Sequence, residues 1–588
     1  MSSYRKYRIH LSKRFYFLSK PLFIGQYVKH AWCSVLLVVL FFGSLGAVAQ
    51  QVPDAGAIQN EIEDVEKPKN EEIPPEEAPL AAPTEGSGPK ISVTEISFHG
   101  NTLLTEEELL EVVEPWKNKP LSLAELKYVA NLVAVRYRED NHLVRVYLPQ
   151  QDIRDGHIII AIVEAKFGQV VVQNSQKIQS EIISPDFVTR VMSSDQKRGD
   201  TLNLKTLERA TLLLNDLSGI NAKNVLVAGE RQGETDVSVD VASEQRYAGS
   251  VTIDNYGVDS TGETRVKPSF TIANPFHRGD KAQLIGLFSE GNQYARMSYT
   301  HPLTANGLQA DYNTSYLSYS LGDEFEDLDA EGDSFTVGTG LTYPLVRQLK
   351  RNINISGRLE QREYENSQLG ETISDKSITT LQLGLNGNLV DSLGKGGVSY
   401  YGANLVFGDL DLSGNKENEA QDAAGAKTAG SYSVLSWNLG RLQRVTEKTT
   451  IWTSLIGQFT DDKLDSSETI SLGGPNGIRA YPVLEATGDT GAIFTFELRY
   501  QFDDSILLTG FLEAGEVVQK QTQVQAEDSH SLNGLGMSLA WTHSSNFSAT
   551  IDIARRIGNN PLKDPVTGND SNGSKTLWPI WIRVSKKF

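Results

Sequence analysis

The chain has 588 residues, 22% of them charged, with 55 Lys and Arg against 74 Asp and Glu and a single cysteine, Cys33. One thiol excludes a disulfide scaffold and any cysteine-rich metal cluster, and a net charge of −19 argues against nucleic acid as a partner, since phosphate contacts need a Lys/Arg excess. Beyond the N-terminus no run of eighteen apolar residues occurs, which excludes a multi-helix membrane protein but not a membrane barrel, whose alternating strands keep mean hydropathy low.

Residues 1–49 carry Arg5, Lys6, Arg8, Lys13, Arg14, Lys20 and Lys29 and no acidic residue. An apolar run over 35–45 leads into Gly46-Ala47-Val48-Ala49. A basic stretch, a short apolar segment and an Ala-x-Ala end predict a cleaved secretory signal. Its removal takes away seven positive charges and Cys33, and moves the net charge from −19 to −26. A mature chain without cysteine runs no risk of wrong disulfides in an oxidising compartment.

Residues 50–90 hold seven prolines and ten carboxylates against three lysines, a composition that cannot bury a core. Within this leader Ile58, Ile62 and Val65 recur at helical spacing, with Asp54 placed to cap a short amphipathic helix; a nascent helix in a tether is the equal alternative at this point.

Residues 91–245 read as mixed α and β. An alternating strand over 91–98 turns at His99-Gly100-Asn101. Thr105 with Glu108 announces a helix start, a second helix runs over 123–138, and Asp155-Gly156 separates two strands at 143–147 and 158–164. The pattern then repeats: Leu121, Leu123 and Leu126 match Leu202, Leu204 and Leu207 at an offset of 81. Two α/β modules, 91–166 and 167–245, are expected.

From 246 to 588 the chain changes character. In 494–502 every even position is apolar and every odd one polar, and Ile580, Ile582 and Val584 share a face, with Trp578 and Phe588 assigned to the same row. Short turns are expected near 275–279, 303–307, 345–350, 391–396, 441–448, 503–505 and 544–546. Loops are expected near 257–262, 290–292, 322–333, 365–374, 408–430, 460–488, 519–529 and 557–575. Short connections alternating with longer ones imply sixteen antiparallel strands, an all-β transmembrane barrel. Trp437, Trp452, Trp541, Trp578 and Trp581 lie in this half and are expected to form interfacial girdles.

One constellation carries a mechanism. A long loop ends Gly473-Gly474-Pro475-Asn476-Gly477-Ile478-Arg479-Ala480-Tyr481, whose glycines and proline permit a folded hairpin with a guanidinium near its tip. In Phe511-Leu512-Glu513-Ala514-Gly515, period 2 puts Phe511, Glu513 and Gly515 on one face. If Leu512 and Ala514 meet lipid, Glu513 points inward, where Arg479 on an infolded loop could pair with it. A surface arginine and an ordinary lumen glutamate remain the alternative at this point.

The layout resembles the two-partner secretion outer-membrane transporters, the hemolysin-activator and filamentous-hemagglutinin exporter family. Leu148-Pro149-Gln150-Gln151-Asp152 is similar to that family's pattern near the end of its first POTRA module. Ile478-Arg479-Ala480-Tyr481 resembles its Val-Arg-Gly-Tyr loop motif, and 511–515 its Phe-x-Asp-x-Gly wall motif. Ala480 stands where the family usually has Gly, and Glu513 where it usually has Asp. The charge is kept, whereas a positive φ is not readily open to Ala480.

The resemblance implies two periplasmic POTRA modules before a sixteen-stranded outer-membrane barrel that exports an unfolded partner protein of β-helical type. It also implies an Arg479–Glu513 pair, a helix near Asp54 plugging the resting pore, and Phe588 as a terminal signal for insertion into lipid by the barrel-assembly machinery. A barrel insertase and a passive porin are the competing readings. No cofactor, metal or catalytic group is expected: the histidines lie near no Ser/Asp pair that spacing would unite, and the acidic residues of 323–333 match no EF-hand.

Overall fold

The computed structural model describes residues 52–63, 89–153, 155–173, 182–231, 233–520, 528–564 and 566–588. The signal segment 1–49, Cys33 and Val65 lie outside the described residues. Helix α1 (Ala55–Glu63) starts where expected, with the Asp54 carboxylate accepting the N–H of Ala57 at 2.9 Å.

The first module comprises β1 (Lys90–Val93), β2 (Glu95–His99), α2 (Glu106–Val113), β3 (Lys119–Ser122), α3 (Leu123–Glu139), β4 (Val144–Tyr147) and β5 (His157–Glu164). The single strand read over 91–98 is two strands, parted at Thr94. The Thr94 N–H turns to the carbonyl of Gly156, so β1 pairs with β3 while β2 runs parallel to β5. Reciprocal capping boxes start both helices, Thr105 with Glu108 and Ser122 with Glu125. Their apolar faces, Leu109, Val113, Leu126, Val129 and Val133, pack on Ile96, Ile158 and Ile160 of the sheet.

The second module repeats the plan in β6 (Lys166–Gln173), α4 (Pro185–Met192), α5 (Leu204–Asn215), β7 (Ile220–Ala228) and β8 (Glu234–Ser243). Its sheet order, β6-β8-β7 with β6 parallel to β8, copies β2-β5-β4. Module and barrel are tied together. Asp216 receives Arg347 in a fork at 2.7 and 2.8 Å, the Leu349 N–H donates to Glu208 at 2.7 Å, and Ala305 packs into the module's own core.

The barrel begins with β9 (Tyr247–Asp254), β10 (Arg265–Ala273), β11 (Lys281–Phe288), β12 (Asn292–Pro302), β13 (Gln309–Ser320) and β14 (Glu331–Arg347). It continues through β15 (Arg351–Gln368), β16 (Glu371–Asp391), β17 (Gly397–Asp411), β18 (Gly430–Arg444) and β19 (Thr449–Phe459), with α6 (Lys416–Ala424) in the connection before β18. A two-stranded ribbon, β20 (Ile470–Ser471) with β21 (Thr487–Gly488), sits in the loop before β22 (Thr490–Gln501). β23 (Ile506–Gln519), β24 (Asp528–His543), β25 (Phe547–Arg556) and β26 (Ile580–Lys587) complete the wall. β26 pairs with β9, so the ribbon aside the sheet is a closed ring of sixteen antiparallel strands.

Burial runs opposite to that of a soluble sandwich. On β14, Phe335 and Val337 are 45% and 48% exposed, while the alternating Ser334 and Thr336 are each 2% exposed. Apolar side chains outside and polar ones inside require a nonpolar solvent around the wall.

Two expectations are corrected. Residues 365–374 form no loop: β15 and β16 run on as a hairpin that turns at Leu369-Gly370, both with positive φ. Their polar alternation has the composition of a loop, yet paired strands satisfy the backbone equally well. Trp452 and Trp581 belong to no girdle, because strand parity turns both inward. Trp452 lies under Arg499, and the Trp581 indole donates to a loop carbonyl. Trp578 precedes β26 and faces Arg555. At the seam, Phe588 and Gly249 exchange backbone hydrogen bonds at 3.0 Å, and the Phe588 ring lies over Gly249.

Candidate functional site

The connection 460–489 folds inward. Beyond the β20–β21 ribbon, the N–H of Leu472 bonds the carbonyl of Ala486 and that of Gly473 the carbonyl of Glu485. The tip then doubles back, with the Ile478 N–H donating to the Leu472 carbonyl at 2.7 Å. Gly477 is required there: a Cβ would stand 2.1 Å from the Leu472 oxygen. Ile478, Ala480 and Tyr481 have no exposed surface, and they share one cluster with Phe511 and Leu532 of the wall. Gly515 leaves room for Leu472 and Ile478. Ala480 adopts no positive φ, so its methyl group strains nothing in the backbone.

Arg479 is seated at the centre of this contact. Its Nε donates to Glu513 Oε1 at 2.8 Å, Nη2 lies 2.7 Å from the same oxygen, and its backbone N–H donates to Oε2 at 2.8 Å. One carboxylate thus holds both the guanidinium and the chain that carries it. Nη2 also donates to Glu497 Oε1 at 2.8 Å, and Nη1 stands 3.7 Å from Asp552. The Phe511 ring lies under the guanidinium at 3.5 Å, and the Trp581 indole donates to the Arg479 carbonyl at 2.8 Å. Glu497 shares its other oxygen with Arg499 at 2.8 Å. Removing one partner of such a buried pair leaves the other charge uncompensated, at a cost of about 3–5 kcal/mol.

Period 2 explains the convergence. Glu497 on β22 pairs in register with Phe511 on β23, which sets Glu497 and Glu513 diagonally on the inner face; Asp552 on β25 faces Trp581 on β26. The sequence places Glu497 only in the polar row of 494–502 and Trp581 in a girdle, and it does not single out Asp552. A carboxylate between the outward-facing Ile551 and Ile553 was the available signal.

Helix α1 lies inside the same barrel. Ala55 and Ile58 are fully buried against Tyr294, Tyr319 and Tyr364, and Ile62 packs at the edge of that cluster. Asp54 meets Lys376 at 2.8 Å, Glu61 meets Arg265 at 2.7 Å, and Glu63 meets Arg296 at 3.0 Å.

Set against known proteins, residues 233–541 match the model of the haemolysin secretion/activation protein family ShlB/FhaC/HecB, more than half of the chain. The chain belongs to the ShlB/FhaC/HecB family. Residues 91–165 match the ShlB-type POTRA domain. The heme/hemopexin transporter protein HuxB of Haemophilus influenzae strain 86-028NP is 26% identical over 487 residues, 80% of this chain and 84% of HuxB. The outer membrane transporter CdiB of Escherichia coli O6:K15:H31 is 25% identical over 513 residues, covering 81% and 82%. A solved structure of CdiB from Escherichia coli shares the fold, with a TM-score of 0.62 at 20% identity over 91% of this chain and 96% of that one. The ShlB/FhaC/HecB membership makes the chain a POTRA–barrel transporter of the outer membrane, with its modules in the periplasm. Docking of the second module on the turns at 303–308 and 348–350 assigns the short connections to the periplasmic side. The long loop with Arg479 therefore enters from outside.

Proposed function

We propose that this transporter captures an unfolded exoprotein, of β-helical type, at its periplasmic modules and passes it through the barrel, where the Arg479–Glu513 pair keeps the long loop folded into the lumen during export. One observation carries the reading: among the described residues two segments, helix α1 and the loop tip, occupy the lumen, both held by ion pairs to the wall. Arg265 and Lys376 each keep a second carboxylate, Asp254 and Asp465, when α1 leaves, so α1 serves as a removable plug. No ATP site or proton relay enters the mechanism, and neither does catalysis. Burial of apolar surface as the cargo folds outside supplies the driving force.

Capture uses strand addition, in which main-chain hydrogen bonds supply affinity with little sequence demand. On the first module, the Gln151 side chain clamps the N–H and carbonyl of Ile159 at 2.8 and 2.9 Å, covering β5 where β4 has ended. On the second, the Asn215 amide does the same to Ala222 of β7, at 2.6 and 3.1 Å. Alternation then leaves the backbone groups of Asn224, Leu226 and Ala228 pointing away from β8, beside the exposed Val225 and Val227. An incoming strand pairs with this stretch and stops at Ala222. Surrounding lipid and the machinery that inserts the barrel, read through Phe588, complete the partners.

Arg479→Ala tests the mechanism: export of the partner falls below detection while the barrel still inserts and resists unfolding in detergent. Export at the normal level would remove the loop from the mechanism.

A further inference from the structure

A second buried arginine stands beside the first. Arg556, the last residue of β25, donates from Nε to the carbonyl of Ala480 at 3.0 Å, and its guanidinium lies 4.9 Å from the centre of the Tyr481 ring. It therefore grips the two residues that follow Arg479. Its other edge forms a fork with Asp570, with Nη1 to Oδ1 at 2.7 Å and Nη2 on Oδ2. Asp570 belongs to the last outer loop, 557–579, as does Asn560, whose amide donates to Asp570 at 3.0 Å and to Glu485 at 2.5 Å. Glu485, with no exposed surface, also accepts the Ser571 N–H at 3.1 Å. Arg556, Asp570, Asn560 and Glu485 are all at least nine-tenths buried.

We propose that Arg556 is a positioning residue for the Arg479–Glu513 pair, and that the loop 557–579 is a strap which holds the inserted tip through it. The tip is anchored on one side by wall carboxylates and on the other by an arginine whose direction the strap sets. Charge complementarity supports the assignment. Arg556 gives both Nη atoms to a loop carboxylate and turns Nε to the tip, so Asp570 decides where that Nε points. Losing a charge-assisted bond of this kind weakens the hold by about tenfold or more. The inference rests on the reading of Arg479–Glu513 as the anchor of the tip.

The test uses the full-length protein in outer membranes, with Cys33→Ala and a reporter Ile478→Cys, labelled by a charged, membrane-impermeant maleimide. The shielded reporter reacts slowly in the parent. Arg479→Ala, Arg556→Gln and Asp570→Ala each raise the labelling rate about tenfold or more, whereas Asp570→Glu, which keeps the fork, restores shielding. Should Arg556→Gln fail to insert, Asp570→Ala decides alone, since Asp570 lies in a loop beyond the wall. Fast labelling in Arg479→Ala with parental rates in Arg556→Gln and Asp570→Ala overturns the strap and spares the pair. Parental rates in all three, Arg479→Ala included, defeat the anchor reading and the strap with it.

Discussion

Ala480 shows how one methyl group is accommodated at a crowded site. Where the resembling motif has glycine, this chain carries an extra Cβ, and the wall answers with Gly534 on β24: a Cβ built there would lie 2.7 Å from that of Ala480. The fit is one of volume, not of backbone conformation, because Ala480 keeps an ordinary φ. Gly534→Ala should therefore expel the tip and cut export strongly, at an overpacking cost of about 1–3 kcal/mol. Adding Ala480→Gly should restore export to near the parental level, measured as secreted partner per inserted barrel. An unrescued double variant would show that Gly534 matters for the strand alone. The sequence revealed the glycine-rich loop, the arginine and the inward parity of Glu513. It could not reveal Gly534, because a glycine in a strand leaves no pattern until something is packed on it.

At the level of elements, local signals settled the helices, while side-chain amides settled where strand pairing ends. Both capping boxes of the first module sit where Thr-x-x-Glu and Ser-x-x-Glu stand in the chain. Glu164 closes β5 differently. Burial pushes its carboxyl up, but the Thr102 hydroxyl, the N–H groups of Thr102 and Leu103 and the Tyr137 hydroxyl outweigh that and leave it below the ordinary glutamate value. A carboxylate lowered on folding stabilises fully above its unfolded pKa of about 4.3 and loses that contribution as pH falls through the folded value. Below about pH 4 the loop before α2 should accordingly lose hydrogen-exchange protection. Glu164→Gln should remove that pH step and cost about 1 kcal/mol at neutral pH, discounted for partial exposure. The β7 edge is tested by Leu226→Pro, which removes one outward N–H without touching a β8 hydrogen bond. Export should fall severalfold while the module stays folded, and undiminished export would move capture elsewhere.

For the whole molecule, the arrangement of charge decides what moves. The second module is fastened to the barrel by the Asp216–Arg347 fork and by apolar contact with the turns, whereas α1 reaches the lumen on a chain whose next residues are rich in proline and carboxylate. Deleting residues 50–70 should raise single-channel conductance in planar bilayers several times over; an unchanged conductance would count against α1 as a plug. The deletion leaves Arg265 and Lys376 with Asp254 and Asp465, so the wall retains paired cations once the helix has gone.

The architecture was legible in the chain because periodicity is local. Alternation names a strand's two faces, repeated leucines name two like modules, and alternating connection lengths count the strands. Which strand neighbours which across the seam, and which carboxylates surround Arg479, were decided only when the sheet closed, since ring closure brings β26 beside β9 and sets Asp552 and Trp581 facing the loop. The strap was invisible for the same reason: Arg556 and Asp570 lie 76 and 90 residues from Ala480, and no short-range rule joins them. Hydrophobic patterning acts within a few residues, whereas the neighbours of a buried charge are set by the whole fold that must compensate it.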